Sequence, residues 1–330
     1  FGTALARTLL KNKSPEAAIA WLEKILSTEE ALAYSVTPLW GAPIESSITI
    51  SDSMDLVPFE AIPESIHKLW LAEFLRHSMR SPIVSGLNYS EPKSALVSRL
   101  TVKPFLWREG DPENINTSKT AEDDVILALT ALGPRVVIPV AQWFTFQDPD
   151  LEDAAVCGRS SRVIEMLPIK PASEELLDSS SVKELLEQMT RLHRSSLDRV
   201  RIGLKRLSLA IRRHGKGDSA LDLAIALEAL LGDGDTSGMT HKTANRASRF
   251  LGGTKEERLR NAGIVKRIYG IRSTLVHTGQ LKDSAVTLDG TKLKLEHLLV
   301  LAEKLLCRLI REILRRGAIP NWQNFDLDLD

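Results

Sequence analysis

The chain has 330 residues with 43 basic and 43 acidic side chains, and 43% of its residues are hydrophobic. This composition is typical of a soluble globular protein of one or two domains, which can bury a core without disulfides or a structural metal. Only two cysteines occur, Cys157 and Cys307, which excludes a disulfide scaffold and a cysteine-rich zinc site. No apolar run approaches the roughly 18 residues of a membrane span and no secretory signal pattern is present, so we expect a cytoplasmic protein with no membrane partner.

The net charge of zero hides a division between the two halves of the chain. Residues 181–330 contain 27 basic and 18 acidic side chains, a balance of +9, and residues 1–180 contain the remaining 16 basic and 25 acidic side chains, a balance of −9. Such asymmetry favours a polyanionic partner for the basic half. The alternative is that the two halves simply dock on each other.

Residues 1–175 are predicted to form a mixed α+β region. The first forty residues have a helical pattern, because Ser14-Pro15-Glu16 is a helix start signal and apolar residues follow it at helical spacing. Short segments that are β-branched or contain proline then indicate strands and turns, and a helix returns over 65–79. A strand pair or one bent strand is predicted over 136–146, where Pro139 argues against an uninterrupted central strand. The short segments are 48–50, 55–59 and 62–63, and further apolar runs cover 96–105 and 125–132.

The mixed region contains none of the motifs that would give it a chemistry. It lacks a phosphate-binding loop, a dinucleotide-binding glycine pattern, a zinc-protease motif and a serine-hydrolase motif. We therefore assign it no reaction and expect it to be a sensor or regulatory domain. A segment rich in serine and acidic residues, 171–181, is predicted to link it to the rest of the chain.

Residues 182–330 are predicted to form an all-α bundle of up-and-down helices with short polar connections. One long amphipathic helix is expected over 182–213, and a second helix over 220–231. A third is expected over 240–251, and a fourth begins at a capping box, Thr254 to Glu257, and runs towards Tyr269. The last helix, 293–316, carries a basic face made of Arg308, Arg311, Arg315 and Arg316.

The seven histidines are the first candidates for catalysis, and six of them have no setting that favours it. His67 and His77 share a predicted helix but have no third metal ligand, so no metal site is expected there. The seventh, His277, stands five positions after Arg272 at the end of a predicted helix. With 25 arginines and seven histidines, between about one and two pairs in which four to six residues separate an arginine from a following histidine are expected by chance, so the spacing alone has no weight. This match, however, is the only one in the chain, and it lies in the basic helical region.

Four segments around this pair resemble the Apea-like HEPN domains of bacterial defence proteins. The resemblance spans about residues 195–315, with the segments in the order found in that family. They are 221–231 with Glu228, 242–251 with Arg246, Glu257-Arg258, and 268–279 with Arg272, Ser273 and His277. The N-terminal segments 56–59 and 62–63 are also similar to the region that precedes such domains. The fold that the resemblance implies is an α+β region followed by an all-α HEPN-like helical bundle.

The resemblance implies a metal-independent endoribonuclease, a toxin or antiviral abortive-infection effector that needs no cofactor. Attack of the ribose 2′-OH on its own phosphate would leave a 2′,3′-cyclic phosphate and a 5′-OH. His277 would transfer the proton, because a histidine side chain gives and takes protons near neutral pH. Arg272 would stabilise the growing negative charge, since its planar fork matches phosphate oxygens. Ser273 would donate a hydrogen bond beside it.

Glu228 and Arg246 are predicted to support this site. A carboxylate in an otherwise apolar helix needs a partner, and we expect Arg272 or Arg246 to be that partner. The alternative is that Glu228 and Arg246 form a structural ion pair between two helices.

Five residues on a regular helix turn through about 500°, so Arg272 and His277 would lie about 140° apart. A helix break near Gly270 or Gly279 would allow them to converge, or two copies would meet about a two-fold axis. We therefore expect RNA as the substrate, a homodimer formed through the helical domain, and other defence-system proteins as further partners. The alternative function is a catalytically silent HEPN module that acts as an RNA-binding or dimerisation scaffold.

Overall fold

The computed structural model describes residues 2–80, 91–102, 112–154, 175–235, 237–281 and 286–328. These residues form two compact units. The first unit contains 2–80, 91–102, 112–123, 138–154 and 175–176. The second contains 124–137, 177–235, 237–281 and 286–328. The protein is mixed α and β, with a small antiparallel sheet in the first unit and helices towards the C-terminal end. No helix in these ranges is long and apolar enough to cross a membrane.

The first unit is an antiparallel sheet with helices before and between its strands. Its elements are α1 (Gly2–Asn12), α2 (Pro15–Ser27), β1 (Ala31–Trp40), β2 (Ile48–Ser51), β3 (Met54–Pro58), α3 (Ile66–Arg80), β4 (Ser94–Val102), α4 (Pro112–Leu129), β5 (Ile138–Pro139), β6 (Trp143–Phe146) and α5 (Pro149–Ala154). The strand order is β2-β3-β4-β1-β5, and β6 pairs with the same edge of β1 as β5. The strand pair predicted over 136–146 and the helix predicted over 65–79 are therefore confirmed.

The central strand of this sheet was not predicted. β1 lies within the first forty residues, where we expected helix, and it pairs with β4 from Ala31 opposite Val102 to Leu39 opposite Ser94. The helical pattern ends with α2 at Ser27, and the residues that follow include Val36 and Thr37, which favour strands. The prediction extended the pattern of α2 too far.

The core of this unit contains a buried carboxylate. Glu122 of α4 is 2% exposed, and its two oxygens accept hydrogen bonds from the hydroxyls of Thr37 and Ser98, each at 2.9 Å. The side-chain amide of Gln142 donates a third at 3.0 Å. Because a buried carboxylate is costly unless it is hydrogen-bonded, Thr37 on β1, Ser98 on β4 and Gln142 just before β6 hold α4 in place against the sheet.

The second unit is mainly helical. Its elements are the end of α4, α6 (Ser179–Thr190), α7 (Arg194–Arg212), α8 (Lys216–Leu231), α9 (Met239–Leu251), α10 (Lys255–Thr278), β7 (Val286–Leu288), β8 (Thr291–Leu293), α11 (Leu295–Arg316) and α12 (Trp322–Asp326). α8 packs mainly against α7, with α10 and α11 beside it, and nine of its sixteen residues are buried. α9 and α10 form an antiparallel helical hairpin joined by a short loop with Gly252 and Gly253.

Three features of this unit differ from the prediction. The single helix expected over 182–213 is two helices, α6 and α7, with a turn at 191–193. Leu192 in that turn is buried, so the apolar pattern continues through the break and conceals it. The region is not all-α, because β7 and β8 form a hairpin around Asp289 and Gly290, both in the left-handed conformation. The short helix α12 was also not predicted.

A segment before the predicted linker belongs to the second unit. Residues 124–137 include a short 3₁₀ turn, Thr130–Leu132, that contacts α7 and α11. The thiol of Cys307 on α11 lies 3.7 Å from the carbonyl oxygen of Thr130, to which it donates. The sequence predicted a domain boundary near residue 175 and did not indicate that 124–137 packs with the second unit. This segment is an apolar run like others in the N-terminal region.

Candidate active site

Arg272 is held by an ion pair between two helices. Its Nη1 donates to Glu228 Oε1 at 2.6 Å, which joins α10 to α8. The two side chains are 35% and 27% exposed, so the pair lies at the edge of the helical packing rather than inside it. Of the two partners proposed for Glu228 from the sequence, the structure places Arg272 beside it.

Tyr269 lies one turn before Arg272 and forms the floor of this site. The guanidinium carbon of Arg272 is 5.9 Å from the centre of the Tyr269 ring, and the Tyr269 hydroxyl is 3.3 Å from Thr243 Oγ1. Burial raises the pKa of Tyr269, and the negative charge of Glu228 raises it further. The phenol is therefore neutral at physiological pH. Sequence reasoning did not include Tyr269 in the site, although its i, i+3 relation to Arg272 was visible.

His277 is exposed in the last turn of α10, and it does not converge with Arg272. α10 is helical without interruption from Lys255 to Thr278, so there is no break at Gly270, one of the two positions where a break would have let the pair converge. Gly279 ends the helix in the left-handed conformation, with φ of 66°, one residue beyond Thr278. On a regular helix the two side chains leave the axis about 140° apart, with Cα atoms about 8–9 Å apart. Within one copy of the chain, Glu228 therefore contacts Arg272, and His277 does not lie beside Arg272.

Ser273 follows Arg272 directly and is exposed. Successive residues on a helix differ by about 100°, so Ser273 leaves α10 between the directions of Arg272 and His277. Its hydroxyl is available to a ligand approaching from that side.

Around the helix axis, Ser273 is about 100° from Arg272 and about 40° from His277. Ser273 and His277 therefore share one exposed side of α10, and Arg272 lies on the side that faces α8.

Arg246 lies in a separate, buried network. Its side chain is 1% exposed, and its guanidinium donates to Asp233 Oδ2 at 2.6 Å, Asp326 Oδ2 at 2.7 Å and the carbonyl oxygen of Leu231 at 2.7 Å. The guanidinium carbon also lies 5.7 Å from the centre of the Trp322 ring. Arg246 thus ties α9 to the end of α8 and to α12. These contacts give it a structural role, and the partner of Glu228 is Arg272.

A basic groove of about 700 Å³ lies between α9 and α10, and sequence reasoning did not identify it. Its charged lining consists of Lys242, Arg249, Lys255, Arg258, Lys266 and Asp326, with His241 at one end. The sequence contained a signal for it, since lysine and arginine recur on one side of the helix predicted from Thr254. The groove itself depends on the pairing of α9 with α10.

Other reactive side chains give no second site. Within the described ranges, no group of three or more histidine, cysteine, aspartate or glutamate residues is arranged to hold a metal ion. Cys307 is buried, and burial raises the pKa of its thiol to about 12. His77 and Cys157 lie where the structure gives no side-chain description. Comparisons with protein-family models, with curated proteins and with solved structures find no match for this chain.

Proposed function

We propose that the second unit is a metal-independent endoribonuclease of the HEPN type, in which Arg272 and His277 are the catalytic pair. The observation that carries the proposal is that both side chains reach solvent from the last two turns of one uninterrupted helix, in the half of the chain with a charge balance of +9. A toxin or antiviral effector is the biological role that such an activity supports.

The reaction needs a proton acceptor and donor and a stabiliser of phosphate charge. A histidine takes the proton of the ribose 2′-OH as its oxygen attacks the adjacent phosphorus, and the bond from phosphorus to the 5′-oxygen breaks. The protonated histidine then gives its proton to the 5′-oxygen, so the products are a 2′,3′-cyclic phosphate and a 5′-OH. The positive charge of Arg272 stabilises the negative charge that grows on the oxygens of the five-coordinate phosphorus in the transition state. Its side chain is 35% exposed, and Nη1 is the atom bound by Glu228, which leaves Nε and Nη2 for phosphate oxygens.

The angle between Arg272 and His277 requires a second copy of the chain. Since about 140° separates them on α10, a single phosphate does not lie against both side chains of one copy. Two α10 helices related by a two-fold axis would place Arg272 of one protomer near His277 of its partner. We therefore propose a homodimer through the C-terminal ends of α10. Light scattering over a wide concentration range tests this arrangement, and a strictly monomeric ribonuclease would contradict it.

Glu228 acts in this proposal as a positioning residue. Its ion pair fixes the guanidinium of Arg272 and restricts the directions in which the remaining donors point. The same ion pair favours the second candidate function, a catalytically silent RNA-binding or dimerisation module. In that case Glu228 satisfies the charge of Arg272, and the pair serves only to join α8 to α10.

Incubation with total cellular RNA in EDTA separates the two functions. The proposed enzyme cleaves and leaves 2′,3′-cyclic phosphate ends, which are mapped by ligation methods specific for that end. His277→Ala is expected to reduce the rate by about 10²–10⁴, the usual contribution of a general acid–base group. Arg272→Lys is expected to retain RNA binding and lose most of the rate, because it keeps the charge and loses the fork.

Two variants provide matched controls. His297→Ala removes an exposed histidine from α11, and Arg267→Lys changes an exposed arginine on α10 itself. Both are expected to cleave like the parent chain. If all four variants cleave like the parent, Arg272 and His277 are not the catalytic pair. If the parent binds RNA and does not cleave it, the silent module is the function.

A further inference from the structure

The groove between α9 and α10 has two walls that differ in charge compensation. On the α9 wall, Lys242 Nζ lies 2.5 Å from Asp235 Oδ2, and Arg249 pairs with Asp328. Asp326 lines the same end of the groove. The cations of this wall are therefore largely neutralised by carboxylates of the chain itself.

The α10 wall carries three cations without such partners. Lys255, Arg258 and Lys266 are exposed, and none of them forms an ion pair with another residue in the described part of the chain. The N-terminus of α10 contributes little positive potential here, because the carboxylate of Glu257 lies against it. Thr254 Oγ1 accepts from Glu257 N at 3.2 Å, and Glu257 Oε2 accepts from Thr254 N at 2.8 Å. The side chains alone make this wall attractive to anions.

The spacing of these cations links the groove to His277. Lys255, Lys266 and His277 follow one another at intervals of eleven residues, and eleven residues make about three turns of an α-helix plus 20°. The three side chains therefore lie along one side of α10, about 16 Å apart from each to the next. Arg258 lies one turn beyond Lys255 on the groove side. A row of cations thus leads along the exposed surface of α10 to the proposed catalytic histidine.

We propose that this groove binds the phosphodiester backbone of an RNA strand, with Lys255, Arg258 and Lys266 each neutralising one phosphate. The inference rests on the proposed ribonuclease function for the identity of the ligand, and it assigns the substrate a path that ends at His277. A strand in this position contacts the protein through repeated phosphates, so binding by the groove is independent of sequence.

The test is the salt dependence of RNA binding by the full chain. The probe is a fluorescein-labelled single-stranded RNA, and every protein carries His277→Ala so that the probe remains intact. The groove variant combines Lys255→Gln, Arg258→Gln and Lys266→Gln. The matched control removes two lysines and one arginine from exposed positions on α6 and α7, as Lys183→Gln, Arg194→Gln and Lys205→Gln.

Each phosphate contact with a single strand contributes about −0.7 to the slope of log K against log salt concentration. Losing three contacts should therefore make the slope shallower by about 2. When the salt concentration rises from about 50 to about 200 mM, the parent should therefore lose about 20-fold more affinity for the RNA than the groove variant loses. The control variant should keep the slope of the parent. The single variant Lys266→Gln should change the slope by about 0.7, which provides a second measurement if the triple variant does not fold.

The outcomes separate this inference from the function on which it rests. If the groove variant and the control weaken binding equally, overall charge holds the RNA and the groove proposal is wrong. An unchanged slope in the groove variant also overturns it. A parent chain that binds no RNA removes both proposals. A groove effect of the expected size, together with no cleavage by the chain with His277 intact, supports the binding path and overturns only the ribonuclease.

Discussion

Replacing Arg246 by methionine is expected to destabilise the second unit by about 3 kcal/mol. Removal of one partner from a buried ion pair costs about 3–5 kcal/mol, because the charge left behind has lost its compensation. Here the remaining groups are Asp233, 9% exposed, and Asp326, 30% exposed, together with the carbonyl oxygen of Leu231. Water reaches Asp326 more easily than Asp233, so the lower end of the range applies. Methionine fills much of the vacated volume and keeps the cavity contribution small.

Urea unfolding followed by circular dichroism measures this loss. With a slope of about 2 kcal/mol per molar urea, 3 kcal/mol lowers the unfolding midpoint by about 1.5 M. Arg249→Met is the matched control on the same helix, because Arg249 is 28% exposed and its partner Asp328 is 82% exposed. It should cost about 1 kcal/mol or less. Equal shifts for the two variants would refute the argument that burial of the Arg246 network makes it important.

The same network predicts a dependence on pH. The hydrogen bond from Arg246 holds the pKa of Asp233 below its usual value of 3.8. A carboxylate whose pKa is lowered by folding stabilises the folded state above its unfolded pKa, and this contribution is lost as the pH falls through the folded value. The difference between Arg246→Met and the parent chain should therefore be complete at neutral pH and shrink below about pH 4.

Three further predictions concern other titrating groups. Glu228→Gln should lower the pKa of Tyr269, so that phenolate absorbance appears at a lower pH than in the parent chain. Burial should still keep that pKa above the usual 10. An unchanged titration would show that the charge of Glu228 does not affect the phenol. Hydrogen bonding from Arg315 lowers the pKa of Glu312 to about 2, so Glu312→Gln should lower the melting temperature at neutral pH. That effect should fade between about pH 4.5 and about pH 2, and an effect that persists at the acid end would contradict the assignment. Cys307 should resist alkylation by iodoacetamide at about pH 8 until urea unfolds the chain, because burial raises the pKa of its thiol to about 12. If peptide mapping finds Cys307 modified in the native protein, its burial is contradicted.

Local signals in the sequence predicted the ends of several helices well. The capping box at Thr254 and Glu257 is present, and α10 begins at Lys255 as expected. The start of α2 after Ser14 is also present, with Ser14 accepting from the backbone of Ala17. These signals act within one turn of helix, so the residues that decide the structure are all visible in one short segment.

Features that depend on distant residues were not predictable in the same way. Arg246 meets Asp326 across 80 positions of the chain, and no local pattern indicates that pairing. Glu228 could be given a partner from the sequence only as one of two arginines, and the packing of α8 against α10 decides between them. The basic groove likewise appears only when α9 and α10 are paired. The angle between Arg272 and His277 followed from helix geometry alone, once α10 was known to be unbroken.

The Arg246 network also has a consequence for folding during protein synthesis. Ribosomes add about 5–20 residues each second, so Asp326 emerges about 4–16 s after Arg246, which precedes it by 80 positions. Trp322, whose indole nitrogen donates to the carbonyl oxygen of Leu230 at 3.1 Å, is equally late. During this interval α8 and α9 exist without the groups that complete their buried polar contacts. The nascent second unit is therefore expected to stay loosely packed until α12 has been made. A chaperone that covers Phe250, whose ring centre lies 5.5 Å from that of Trp322 in the folded protein, would act in that interval.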